Sequence, residues 1–148
     1  MQVLIRPIRQ SDVASLCDIF NHPCVVRNIS QLPYATEEQW QKRLLCDANN
    51  ITLVADHKGA AQGSITLAAE TNMRRKHVAS LAVAVNPAYH NQGIGTQLLD
   101  AAMALADEWM NIARLELGVF TSNRSAIKLY HRFGFAIEGE ARAYAYGE

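Results

Sequence analysis

Residues 83–99 read VAVNPAYHNQGIGTQLL, a run whose residue types and spacing suit the capture of a phosphate. An apolar stretch ends at Asn86-Pro87, a short loop carries Gly93 and Gly95, and an apolar helical pattern begins at once. Strand, glycine turn and helix in that order aim several backbone N–H groups and the positive end of a helix dipole at one point. Glycine serves such a turn because a Cβ would obstruct the approaching phosphate. Two familiar glycine codes do not fit. A Walker loop needs Lys and Ser/Thr directly after its last Gly, whereas Ile94, Gly95 and Thr96 follow Gly93. A dinucleotide fingerprint wants three glycines after the first strand and an acidic residue about 20 positions on; here two glycines lie late in the chain.

Periodicity supplies the elements that must hold this turn. Residues 3–9 alternate and lean β-branched, which predicts a first strand with Arg6 and Arg9 on a solvated face. From Ser11, the residues Val13, Leu16, Cys17 and Phe20 recur at helical spacing, with Asp12 in the first turn. Residues 21–35 lose periodicity and read as a substrate-side loop. Thr36 and Gln39 form a capping box, worth about 1 kcal/mol, that starts a second helix running to Cys46 with Trp40, Leu44 and Leu45 inward. Residues 51–57 and 61–70 predict a hairpin around Lys58-Gly59-Ala60, and Asn72 to Lys76 a wet basic turn. Residues 77–85 make a fourth strand, apolar enough at its end to be buried on both faces. After the glycine turn, Ile94, Leu98, Ala102, Leu105 and Trp109 form one helical stripe facing the sheet. Residues 114–120 predict a fifth strand, Asn123 opens a helix that Gly134 closes, and 135–146 predict a sixth strand. The order βααβββαβαβ gives an α/β fold with a mixed sheet, antiparallel early and parallel late.

At 148 residues the chain suits a single domain, residues 1–148. Lys plus Arg equals Asp plus Glu at 14 each, so no net field draws nucleic acid or an anionic membrane. No apolar run approaches the roughly 18 residues of a membrane span, and the start MQVLIRPIR lacks a signal peptide's apolar region, which predicts a cytoplasmic protein. Cys17, Cys24 and Cys46 have no CxxC spacing and no clustered histidines, which predicts no metal and no cysteine nucleophile. Cys17 reads as a small core residue.

Two motifs together resemble the GNAT superfamily of N-acetyltransferases. The segment His90, Asn91, Gln92, Gly93, Ile94, Gly95 is similar to its Gln/Arg-x-x-Gly-x-Gly/Ala turn, with His at the first position. Asn123-Arg124-Ser125-Ala126-Ile127-Lys128-Leu129-Tyr130, then Phe133-Gly134-Phe135, resembles its Asn-x-x-Ala-x-x-Leu-Tyr-x-x-x-Gly-Phe motif. Order and separation agree as well, and the resemblance covers most of the chain. It looks closest to small bacterial enzymes that acetylate the α-amine of amino acids or related small amines.

The resemblance implies acetyl-CoA as co-substrate and a small primary amine as acceptor. It also implies a sheet whose fourth and fifth strands splay apart, flanked by four helices. The backbone of Val83 and Val85 would pair with the pantetheine arm. The amides of Asn91, Gln92, Gly93, Ile94, Gly95 and Thr96 would wrap the pyrophosphate, each helix-end charge interaction being worth ~0.3 to 2 kcal/mol. Asn123 would hydrogen-bond the CoA arm, and as a bare residue it is also a good N-cap. Tyr130 would face the departing sulfur. A thiol pKa of about 8.5 against about 10 for tyrosine favours a hydrogen bond to the forming thiolate over full proton donation. Without the motif, an aromatic at that helical spacing reads as core.

Glu116 is the available carboxylate for a general base. In ribosomal-protein acetyltransferases of the superfamily the strand-five base lies five residues before the position of Asn123, where Gly118 stands here. Two residues along a strand keep one face, so Glu116 suits a base acting through water; it equally suits a structural carboxylate. Ser80, His77 and His22 are further candidates for a water chain. A peptide α-amine at pKa about 8 needs only ~1.4 kcal/mol to be neutral at pH 7, against ~4.6 for a lysine near 10.4, and so demands less of a base. Relatives usually add a final strand beside strand five, whereas this sequence stops at Gly147-Glu148. Either residues of that strand are missing or another subunit supplies the edge, and the open edge predicts a homodimer. Competing readings are acetylation of a protein N-terminus or lysine, a CoA-binding sensor that has lost chemistry, and modification of charged transfer RNA, which the neutral charge argues against.

Overall fold

The computed structural model describes residues 1–45 and 47–146. Cys46, the predicted end of the second helix, and Gly147-Glu148, the predicted stopping point, lie outside the described residues. Strands β1 (Leu4–Pro7), β2 (Asn50–His57), β3 (Ala60–Ala69), β4 (Val78–Val85) and β5 (Arg114–Glu116) form one sheet in that order. The first four pair antiparallel, and β5 lies parallel to β4 because helix α4 (Ile94–Glu108), numbered after three earlier helices, carries the chain between them. Those earlier helices are α1 (Val13–Asn21), α2 (Pro23–Val26) and α3 (Glu37–Leu44), and α5 (Arg124–Arg132) follows β5. This is the mixed α/β sheet that the pattern predicts. The single turn α2 is additional; it forms inside the predicted loop because Pro23 starts it and the His22 ring accepts the Cys24 amide at 3.1 Å.

Local chemistry accounts for most boundaries. Lys58 and Gly59, with φ of +55° and +87°, make the two-residue hairpin between β2 and β3. The Gln39 side chain accepts the Thr36 amide at 2.9 Å and Thr36 Oγ1 accepts the Gln39 amide at 3.2 Å, completing the predicted capping box. The sheet is covered on both faces. Ile65, Leu67, Ala79 and Leu81 meet Ile94, Leu98, Leu99 and Ala102 of α4 on one, while Val54, Ala61 and Ala84 meet Leu16, Cys17, Phe20, Trp40 and Leu44 on the other. Strand β4 therefore sends odd residues to α4 and even ones to α1 and α3, as two-sided burial requires.

Five expectations need correction. The fifth strand, expected over 114–120, ends at Glu116. Arg6 is not solvated: it is 7% exposed and its guanidinium grips both carboxylate oxygens of Asp12 at 2.8 and 2.9 Å and Asp56 at 2.9 Å. A buried guanidinium is tolerated only when so paired. Trp109 falls past the last turn of α4 and is 81% exposed, so the stripe ends at Leu105 and Ala106. The basic turn is not simply wet, because Arg75 pairs with Glu70 at 3.5 Å and Glu116 at 2.7 Å. Residues 135–146 form no strand. Phe135 reaches the core, but the segment beyond is alanine-rich, carries Gly139, turns left-handed at Ala143 with φ +52°, and leaves Ile137 and Tyr144 exposed. It has too little apolar surface to hold an extra strand against β5.

Candidate active site

The site begins where β5 stops. Its ladder with β4 runs Val78 to Arg114, Ala79 to Leu115 and Ser80 to Glu116, and no further. The carbonyl of Val78 accepts Glu70 N–H on the β3 side, while that of His77 accepts Ala113 and Arg114 on the β5 side. Strand alternation then turns the backbone groups of Leu81, Val83 and Val85 toward β5, where the ladder has ended. Val83 and Val85 were expected to offer this edge; Leu81 was not, although period two alone extends the series to it. The carbonyl of Val85 accepts a hydrogen bond at 2.8 Å from His90 Nε2, which must carry the ring proton because a carbonyl cannot donate.

Below that edge the chain makes its glycine turn. Asn91 and Gly93 have φ of +60° and +84°, and α4 starts directly after Gly93 without a side-chain cap. The amides of Gly93, Ile94, Gly95 and Thr96 precede the first helical bond, Gln97 N–H to Gly93 carbonyl at 3.1 Å, so the helix supplies them no acceptor. A Cβ at Gly93 would meet nothing within 4 Å, which leaves room for a ligand and makes backbone φ the local requirement. A Cβ at Gly95 would meet Leu129 Cδ2 at 3.2 Å, so this glycine also lets α5 approach α4. Ile94 is 1% exposed: its side chain is core, and only its amide faces the turn.

Helix α5 supplies the other predicted groups. Asn123 Oδ1 caps it, accepting the Ala126 amide at 3.4 Å, and the Nδ2 group has no partner among the described residues. The Tyr130 ring packs edge-on to Phe135 at 5.8 Å and its hydroxyl makes no hydrogen bond among the described residues. Burial pushes its pKa up, so the phenol stays a donor.

One continuous cleft joins these parts and opens on both sheet faces. Every predicted site residue lines it except Gln92. On the α4 face lie Gly93, Gly95, Thr96, Asn123 and Tyr130; on the other lie Phe20, Trp40, Arg43, Ser64, Thr66 and Ser80. Of the water-chain candidates only Ser80 lines it; His22 caps α2 beside a smaller hollow, and His77 lies outside both. Glu116 shares the Ser80 face but is held by Arg75 at 2.7 Å and Arg114 at 3.2 Å. The Arg75 guanidinium, then that of Arg114, holds its pKa below the usual carboxylate range, which weakens it as a base. The far wall adds groups that periodicity did not reveal. Trp40 is 6% exposed, and its indole N–H has no partner among the described residues, which costs about 1–3 kcal/mol if nothing fills its place. Arg43 stands over the same ring.

An open strand edge, a row of amides to which the helix supplies no acceptor and a cleft passing the end of the β4–β5 ladder suit a phosphate-bearing thioester met by a second substrate from the opposite face. Comparison with known proteins decides the lineage: the profile of the Acetyltransferase (GNAT) family matches residues 13–135. The chain belongs to the GNAT family. Members use acetyl-CoA as co-substrate, and this GNAT protein is an acetyl-CoA-dependent N-acetyltransferase. It is 33% identical over 144 residues to the L-amino acid N-acetyltransferase AaaT of Escherichia coli K12, covering 97% of this chain and 89% of that one. It is 25% identical over 142 residues to the spermidine N(1)-acetyltransferase of the same organism, covering 93% and 75%. A solved GNAT acetyltransferase from Streptococcus pneumoniae superposes with a TM-score of 0.83 at 30% identity, covering 99% and 92%. Among the described residues no helix is long and apolar enough to cross a membrane, and no three metal-ligating side chains cluster.

Proposed function

We propose that this GNAT enzyme acetylates the α-amine of a free amino acid or a similarly small amine by direct attack in a ternary complex. The observation that carries the reading is the two-sided cleft: backbone donors and Tyr130 on one face of β4, apolar and hydroxyl side chains on the other, with the gap past Ser80 between them. The amides of Asn91 to Thr96 hold the pyrophosphate, the edges of Leu81, Val83 and Val85 align the pantetheine arm, and Asn123 Nδ2 donates to it. Tyr130 hydrogen-bonds the sulfur as the acceptor nitrogen takes the acyl group, stabilising the leaving thiolate. With Glu116 committed to two arginines, the amine loses its proton to water ordered by Ser80 and Thr66. An α-amine, less basic than a lysine side chain, demands less of so weak a base. The 33% identity to an L-amino acid N-acetyltransferase supports this acceptor class.

Thiol release from acetyl-CoA in the presence of amino acids, polyamines and peptides tests the reading. Turnover with amino acids is expected; turnover confined to peptides or polyamines would overturn it. The commitment of Glu116 also favours a second reading, an acyl-CoA sensor, which tight acetyl-CoA binding without turnover would establish. The open β5 edge beside the cleft supports pairing with a second copy, and light scattering should give a dimer mass, a monomer mass removing that idea.

A further inference from the structure

The wall opposite the glycine turn holds two side chains with hydrogen-bond donors left unused among the described residues. The Trp40 ring is fixed by stacking on Phe20, with centroids 4.0 Å apart and planes at 13°, yet its indole N–H is buried and unpartnered. An indole N–H can only donate. One turn on, Arg43 sets its guanidinium carbon 5.3 Å from the centre of that ring. One of its N–H groups donates to the Gln31 side chain, and it pairs with no carboxylate among the described residues. Glu116, the carboxylate on the same face of the sheet, is already taken by Arg75 and Arg114. Positions 40 and 43 share one face of α3, and both side chains line the cleft. A planar guanidinium fork with a second fixed donor beside it matches a carboxylate.

We propose that Arg43 and the Trp40 N–H bind the α-carboxylate of an amino-acid acceptor, which makes α-amino acids, and not polyamines, the substrates. The assignment rests on the acetyl-transfer reading above. Phe20, Val25 and Ile29 line the neighbouring surface, which suits an uncharged amino-acid side chain. A polyamine would bring a further ammonium against Arg43 and find no free carboxylate on this wall among the described residues.

The test compares each L-amino acid with its amide, and with spermidine, by thiol release from acetyl-CoA, using the wild type, Arg43→Gln and Trp40→Phe. The wild type should prefer acid to amide by about 10- to 100-fold in kcat/KM, the effect of hydrogen bonds to a charged group. Arg43→Gln should abolish that preference by lowering acid turnover far more than amide turnover, with CoA affinity within about twofold because Arg43 lies on the wall opposite the glycine turn. Trp40→Phe keeps the stacked ring and should lose part of the preference. Equal use of acids and amides, spermidine acetylated as fast as the best amino acid, or an Arg43→Gln loss shared by acids and amides would each overturn the anchor. If no acceptor turns over, the same pairs are titrated calorimetrically into the CoA-loaded protein. An acid preference that Arg43→Gln removes then keeps the anchor and sinks the transfer reading; equal binding, or none, sinks the anchor.

Discussion

The two walls of the cleft are built by different means. On the α4 side, the proposed cofactor site rests on backbone: a left-handed glycine at Gly93, free amides to Thr96, an open strand edge at Leu81, Val83 and Val85, and an N-cap at Asn123. On the α1–α3 side it rests on side chains that meet only after packing, with Phe20, Trp40 and Arg43 drawn together from two helices and Ser64, Thr66 and Ser80 from two strands. Backbone geometry leaves a contiguous trace in sequence, because only certain residues tolerate it. A packed wall leaves none, because many side-chain sets fill one volume. The proposed cofactor wall is therefore the part fixed by local rules, and the proposed acceptor wall is free to differ among relatives named for amino acids and for spermidine.

The largest effect should come from Gly93→Glu. Its carboxylate enters the open space beside the turn and repels a diphosphate, and φ +84° adds strain of about 1 kcal/mol, too little to unfold the domain. Acetyl-CoA affinity measured by calorimetry should fall at least about 100-fold with circular dichroism unchanged, as expected when a favourable charge contact becomes repulsive. Retained affinity would put the cofactor elsewhere and erase the distinction between the walls.

That distinction also explains what the sequence could tell. Gly93, Asn123, the capping box at Thr36 and the hairpin at Lys58-Gly59 were legible because each is a local solution to a local constraint. Arg6 was misread because its partner Asp56 lies 50 residues away, and only pairing decides whether an alternating arginine faces water or core. Trp109 continues the stripe of α4 by spacing, but the helix ends before it. The stretch 135–146 has the length of a strand and lacks the apolar area to dock as one. Trp40 reads only as an inward position of the second helix; nothing in the spacing says that its indole N–H would be left without an acceptor among the described residues.

The acceptor wall also depends on charge pairing beneath it. Asp12 precedes α1, accepts two bonds from buried Arg6 and one from the Arg9 amide at 2.7 Å, and is itself 5% exposed. Asp12→Asn leaves a buried guanidinium short of a charge and should cost about 3 kcal/mol of stability, read from denaturant midpoints. Arg6 hydrogen bonding holds the Asp12 pKa below its ordinary value, so this stability is complete above the unfolded-state carboxylate pKa and is lost as pH falls through the folded one. Wild-type stability should drop steeply below about pH 4 and that of the variant less so. Parallel curves would deny the ion pair that role.

Tyr130→Phe separates catalysis from binding on the cofactor wall. Losing one hydrogen bond to a forming thiolate should lower kcat by about 10- to 100-fold, while acetyl-CoA affinity stays the same because the ring still packs on Phe135. Burial raises the Tyr130 pKa, so the wild-type rate should show no fall from its ionisation below about pH 10. An affinity loss equal to the rate loss would make Tyr130 a packing residue.

Glu116→Gln should have the smallest effect, and it probes the seam between the walls. Its carboxylate is held ionised and weakly basic by Arg75 and Arg114, on the strand pair that ends at the gap. If protons leave through water, kcat should change no more than about threefold, the scale of an altered partly exposed ion pair. The rate should then climb with pH up to the acceptor amine's own pKa, with no inflection from a carboxylate in the wild type, because a pKa already lowered lies below the range in which the enzyme works. A loss beyond about 100-fold with an altered pH profile would make Glu116 the base after all. The acceptor wall would then carry proton-transfer chemistry of its own, and its two arginines would have to release the carboxylate when substrate arrives.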